Sequence, residues 1–139
     1  MTLSLGYHTY RNDSGGSNSG AIYVLYGSGS LNGTTRDLAD SSPAELTITG
    51  KASSDYLGKS VSGIGDVNAN GVPDILSGAW RNDDGGSNAG AVYLFFGSSS
   101  RITGTKRAAA DSSDMTVVGK SALDELGVSV GGGRNNPGP

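Results

Sequence analysis

At 139 residues the chain is long enough for one domain with a sizeable core, and the absence of cysteine excludes disulfide frameworks and thiolate metal sites. A net charge of −3 with no basic run argues against a nucleic-acid partner, and no apolar run approaches the roughly 18 residues of a membrane span. The 24 glycines lie beside short β-rich runs, which points to many tight turns in an all-β fold.

In chain order, Thr2 to Tyr10 is a weak first strand with Leu3 and Leu5 as its apolar positions. It contains His8, the only histidine, on which any Ser-His-Asp triad would have to be built. Ala21 to Tyr26 is a near-continuous apolar run, as in a strand covered on both faces. Leu46 to Thr49 is short and β-branched, and Gly58 to Ile64 alternates small and apolar residues. Pro73 to Trp80, Ala91 to Phe96, Met115 to Val118 and Leu126 to Val130 complete the predicted strands. No stretch keeps a helical period; Thr35 to Asp40 and Lys106 to Ala110 are expected to hold a helical turn or two.

The chain repeats itself. Arg11-Asn12-Asp13-Ser14-Gly15-Gly16-Ser17-Asn18-Ser19-Gly20-Ala21-Ile22-Tyr23 returns 70 residues later as Arg81-Asn82-Asp83-Asp84-Gly85-Gly86-Ser87-Asn88-Ala89-Gly90-Ala91-Val92-Tyr93. Asp55-Tyr56-Leu57-Gly58-Lys59-Ser60-Val61 returns 69 residues later as Asp124-Glu125-Leu126-Gly127-Val128-Ser129-Val130. Two units of about 70 residues thus fill the chain. Their short strands and turns point to β-propeller blades.

Between two strands lies Gly65-Asp66-Val67-Asn68-Ala69-Asn70-Gly71-Val72-Pro73-Asp74. Calcium takes six to eight oxygen ligands on a tightly curled loop. Here Asp66, Asn68 and Asn70 supply side-chain oxygens at alternate positions, Val72 a backbone carbonyl and Asp74 a closing carboxylate. Gly71 supplies the turn. With only two carboxylates the site is expected to be weak, and magnesium fits less well because it keeps its waters. The Gly-Gly-Ser-Asn-x-Gly runs at 15–20 and 85–90 have no following helix and no Lys-Ser/Thr, so they read as turns rather than phosphate loops. Asp83-Asp84 and Asp124-Glu125 sit in turns and read as solvated. Asn12-Asp13-Ser14 and Asn32-Gly33-Thr34 match the glycosylation pattern, which matters only in a secretory host.

The order Leu-Gly-x-Ser-Val, Gly-Asp-x-Asn-x-Asn-Gly-x-x-Asp, Ile-Leu-x-Gly-Ala and Gly-Ala-x-Tyr, ending in three apolar residues and Gly, resembles the FG-GAP repeat. That repeat builds the β-propeller of integrin α-subunits and of many bacterial surface and secreted proteins. Leu57-Gly58 stands where the family has Phe-Gly, and Gly78-Ala79-Trp80 where it has Gly-Ala-Pro. The resemblance implies an all-β chain of four-stranded antiparallel blades, two blade equivalents in all, with strands shared across the chain ends. Residues 57–119 would form one complete blade, 1–50 strands two to four of another, and 120–133 an innermost strand. It also implies an extracellular or cell-surface location; no signal peptide is present in this chain.

A propeller closes with four to eight blades. Two blades leave edges and apolar faces that invite a homo-oligomer of four, six or eight blades, or mark a piece of a longer propeller. The segment Arg134–Pro139 falls where a second metal loop would stand and carries no carboxylate, so one calcium per chain is expected. The repeated loops Tyr10-Arg11-Asn12-Asp13 and Trp80-Arg81-Asn82-Asp83 correspond to the ligand-binding face in integrins. Packing of the aromatic residues and capping by Asp and Asn explain these loops at least as well. The expected function is a non-enzymatic, calcium-binding scaffold for protein or ligand binding and adhesion. The alternative is a carbohydrate-binding lectin that uses the aromatic loops. No nucleophile and base pair supports a hydrolase.

Overall fold

The structure is a computed structural model, and it describes residues 2–5, 13, 15–27, 46–100, 102–107 and 112–133. The expectations for Tyr10, Arg11, Asn12, His8, Asn32, Thr35 to Asp40 and Arg134–Pro139 lie outside these residues. The described chain is all-β. Its strands are β1 (Thr2–Leu5), β2 (Ala21–Tyr26), β3 (Leu46–Thr49), β4 (Leu57–Gly65), β5 (Asp74–Ala79), β6 (Ala91–Phe95), β7 (Gly104–Arg107) and β8 (Met115–Val118).

They form two open four-stranded sheets, ordered β1-β2-β3-β7 and β4-β5-β6-β8. The second is an antiparallel succession of strands from Leu57 to Val118. Its first pair carries register shifts between Leu57 and Ser60 and between Gly63 and Gly65. Such irregularities bend and twist an edge strand.

The strands follow from side-chain alternation. In β2, Ile22 and Val24 share a face and lie opposite Ile48 and Leu46 of β3. In β6, Tyr93 and Phe95 share a face with Ile75 of β5. These two faces meet. Ile22, Val24, Leu46 and Ile48 pack on Leu57, Ile75, Ala79, Ala91, Tyr93 and Phe95 as one buried core. Burial of a large apolar side chain contributes about 1.5–3 kcal/mol, so this shared face is the main force holding the sheets together.

Two expectations are corrected. Lys106 and Arg107, expected in a helical turn, belong to β7, which pairs parallel with β3. The excursion between β6 and β8 therefore crosses to the first sheet. Tyr26 pins it there: its hydroxyl donates to the Ile102 carbonyl at 2.8 Å and accepts from the Ile102 amide at 3.1 Å. Leu126 to Val130 does not form a ladder; it makes a single parallel bridge, Gly90 to Leu126.

The seam between the sheets has a copy where the C-terminal segment meets the second sheet. Gly20 bridges Leu57, and Gly90 bridges Leu126, both in parallel. Around the first seam, Ser54 N donates to Ser17 O at 2.8 Å and Leu57 N to Ser19 O at 2.9 Å. Around the second, Leu123 N donates to Ser87 O and Leu126 N to Ala89 O, both at 2.9 Å. Asn18 and Asn88 adopt φ of 56° and 54°, and each amide donates to an aspartate, Asp13 or Asp83. Asn tolerates this left-handed conformation better than most residues, which explains its recurrence.

Candidate metal centre

The β4–β5 connection is curled by two left-handed residues, Ala69 at φ 61° and Gly71 at φ 85°. Its oxygen-bearing side chains turn inward onto backbone amides. The Asn70 amide donates both to Asp66 Oδ1 at 3.0 Å and to Asn68 Oδ1 at 3.2 Å. One N–H therefore holds these two oxygens close together. Asp66 Oδ2 accepts from Gly71 N at 2.6 Å, and Asn70 Oδ1 accepts from Val72 N at 2.8 Å. Asp66, Asn68 and Asn70 are all exposed.

Asp74 behaves differently. It is fully buried at the start of β5, opposite Gly65. Its Oδ2 accepts from Val67 N at 2.7 Å and its Oδ1 from Gly97 N at 2.8 Å. Asn70 Nδ2 donates to Gly97 O at 2.8 Å, so both backbone groups of Gly97 anchor the loop. Asp74 thus ties the loop to the end of β6. Val72, half-buried, lines a cleft of about 360 Å³ with Val24, Tyr26, Leu46 and Phe95.

The structure brings together Asp66, Asn68 and Asn70, and sets Asp74 beneath them with both oxygens engaged. Among the described residues no group of three or more His, Asp or Glu side chains converges. The donors are hard oxygens from two carboxylates and two amides, a set suited to calcium rather than to zinc or copper.

The second aromatic loop is described in full. The Arg81 guanidinium lies 4.3 Å from the Trp80 ring centroid and 5.5 Å from that of Tyr56. The two rings are 6.1 Å apart. This cation–aromatic stack covers faces that a sugar would need. Trp80 Nε1 is buried without a hydrogen-bond partner. Asn82 is buried, with Nδ2 donating to Asp55 Oδ2 at 3.1 Å and to Tyr93 Oη at 3.4 Å. Asn82 Oδ1 accepts from Asp84 N, and Asp83 caps the turn through Asn88 N. Of the first copy of this loop, only Asp13 is described, and it caps Asn18 in the same way.

Asp55 is a buried group that motif reading missed, although it sits in the repeated Asp55-Tyr56-Leu57 segment. Burial pushes its carboxyl above the ordinary value of 3.8, against the lowering effect of hydrogen bonds from Asn82 and Ala52. Burial likewise pushes the Tyr93 hydroxyl up, with Asp55 and Asp84 adding to the effect. Gly97 was missed too; its signal is the glycine that ends each repeated apolar strand, Gly27 and Gly97. No protein-family model matches the chain.

Proposed function

We propose that the protein is a non-enzymatic β-repeat scaffold that binds one calcium ion per chain at Asp66, Asn68, Asn70, Val72 and Asp74 and assembles with further copies of itself. The observation that carries this reading is the shared Asn70 amide, which gathers the Asp66 and Asn68 oxygens on one side of a curled loop. The residues fit a hard cation: Asp66 would be the main charged ligand, with Asn68 and Asn70 as neutral ones. Asp74 has its oxygens on two amides and would hold the loop or reach the ion with a remaining lone pair. Two carboxylates set a dissociation constant of about 10⁻⁴ to 10⁻³ M, the range of extracellular modules.

By resemblance to FG-GAP proteins, such a module belongs outside the cell and binds a protein or glycan ligand. The glycan reading draws no support from the second aromatic loop, where Arg81 covers Trp80. Calorimetric titration of calcium into metal-stripped protein tests the reading. At calcium about thirtyfold above the dissociation constant, stabilisation is about 2 kcal/mol. That corresponds to a rise of about 4–8 °C in Tm. Neither heat nor a shift in Tm would remove calcium from the reading.

A further inference from the structure

The repeat shows what covers each surface of the first unit, and therefore what is left uncovered on the second. Leu46 and Ile48 of β3 are 6% and 2% exposed, because the second sheet lies on them. Their equivalents 69 residues on are Met115 and Val117 of β8. These are 49% and 46% exposed. The pairing of β6 with β8 sets Val117 opposite Val92 and Met115 opposite Leu94, on the face turned away from the first sheet. The outer face of the second sheet is thus a copy, in apolar pattern, of the face that the first sheet buries.

A second surface completes the pattern. In the second sheet β4 pairs with β5. In the first sheet β1 takes the place of β5, because Leu5 opposes Tyr23 as Ser77 opposes Tyr93. Among the described residues β1 has no neighbour on its other side. The equivalent of β4 is the segment from Leu126 onward. It already lies across the second sheet: Ser60 Oγ donates to Gly127 O at 2.8 Å, and Gly132 N donates to Ser62 Oγ at 3.1 Å. No other described strand pairs with it.

We infer that a second copy of this chain docks its first sheet on the outer face of the second sheet, with residues 126–132 of one copy extending β1 of the other. This rests on the self-assembly proposed above and names its surfaces. The geometry repeats the junction inside each chain, so the occupant is a second copy rather than an unrelated partner. An open apolar face and an open strand edge are covered in the same event.

The register follows from the repeat. Val61 opposes Ser77 and Gly63 opposes Ile75. Val130 therefore opposes Leu5 of the other copy, and Gly132 opposes Leu3. Directly opposed residues bring Cα atoms to about 4.5–5.5 Å, within reach of a disulfide.

The chain has no cysteine, so engineered pairs read cleanly. Leu5→Cys protein mixed with Val130→Cys protein should form a covalent dimer at least about tenfold faster than Ser4→Cys with Val130→Cys, a pair one register position out of alignment. Light scattering should give a discrete multiple of the chain mass, and Val117→Asp should shift it to one chain. Because Val117 is exposed within one chain, that variant should keep the circular dichroism spectrum of the parent. A parent that stays monomeric at every concentration overturns both the assembly and this interface. A discrete oligomer that Val117→Asp leaves intact, with equal cross-linking rates for the two pairs, overturns the interface and leaves assembly standing.

Discussion

Two aspartates of one loop have separable roles. Asp66 is exposed and holds only loop amides, whereas Asp74 is buried and clamps Val67 and Gly97. Leaving a buried donor unsatisfied costs about 1–3 kcal/mol. Asp74→Ala should therefore lose about 3 kcal/mol in urea denaturation without calcium. Asp66→Ala should lose under about 1 kcal/mol without calcium, and the rise in Tm proposed for added calcium should vanish. A variant pair with the reverse pattern would make Asp74 the ligand and Asp66 the structural residue. Asp55 sets a pH dependence. Its carboxyl is raised in the folded state, so the folded protein binds more protons than the unfolded chain between the ordinary value of 3.8 and the raised one. Stability from this group therefore rises as pH falls through that window and is lower at neutral pH. Asp55→Asn should remove this dependence: denaturation midpoints at pH 4.5 and 7 should differ less than in the parent. The loop was legible in the sequence because alternating oxygens followed by glycine form a spacing. The inward role of Asp55 was not, because burial comes from packing on Asn82 and Tyr93 rather than from any local pattern.

At the scale of elements, the repeated seam is where the backbone tolerates least. Gly20 has φ of 80°, and a Cβ there would meet the Leu57 backbone. Gly71 has φ of 85° but faces open space. Gly71→Ala should cost about 1 kcal/mol, the strain of a left-handed alanine. Gly20→Ala adds a backbone clash and should cost more than about 2 kcal/mol, read as the difference in urea midpoints. Equal costs would mean that the seam yields. The strands at Ala21, Leu46, Leu57, Ile75, Ala91 and Met115 were readable from apolar runs and from the repeat. Lys106 and Arg107 were not. Four residues with two cations carry no strand period, and β7 exists because Tyr26 and the edge of β3 capture it.

For the molecule as a whole, the two sheets share one core, so each half stabilises the other. Unfolding should be a single transition followed equally by tyrosine fluorescence and far-ultraviolet circular dichroism, as two-state behaviour requires. Two separated transitions would mean that the units fold independently. The run β4-β5-β6 of the second sheet was legible because strands consecutive in the chain tend to pair with their neighbours, and β8 joins it only after the excursion through β7. The composition of the first sheet was not, since its fourth strand arrives from the other unit.

β7 leaves the second unit, runs along β3 and returns as β8. The units are therefore interlocked rather than strung like beads. Cutting the exposed link at 51–54 would not free the halves. Each would still hold the other through a ladder as well as through the core. Exchanging one unit for a homologous copy would need the excursion and its receiving edge to change together. Evolution by simple duplication of this unit is thus constrained by a strand that belongs, in space, to its neighbour.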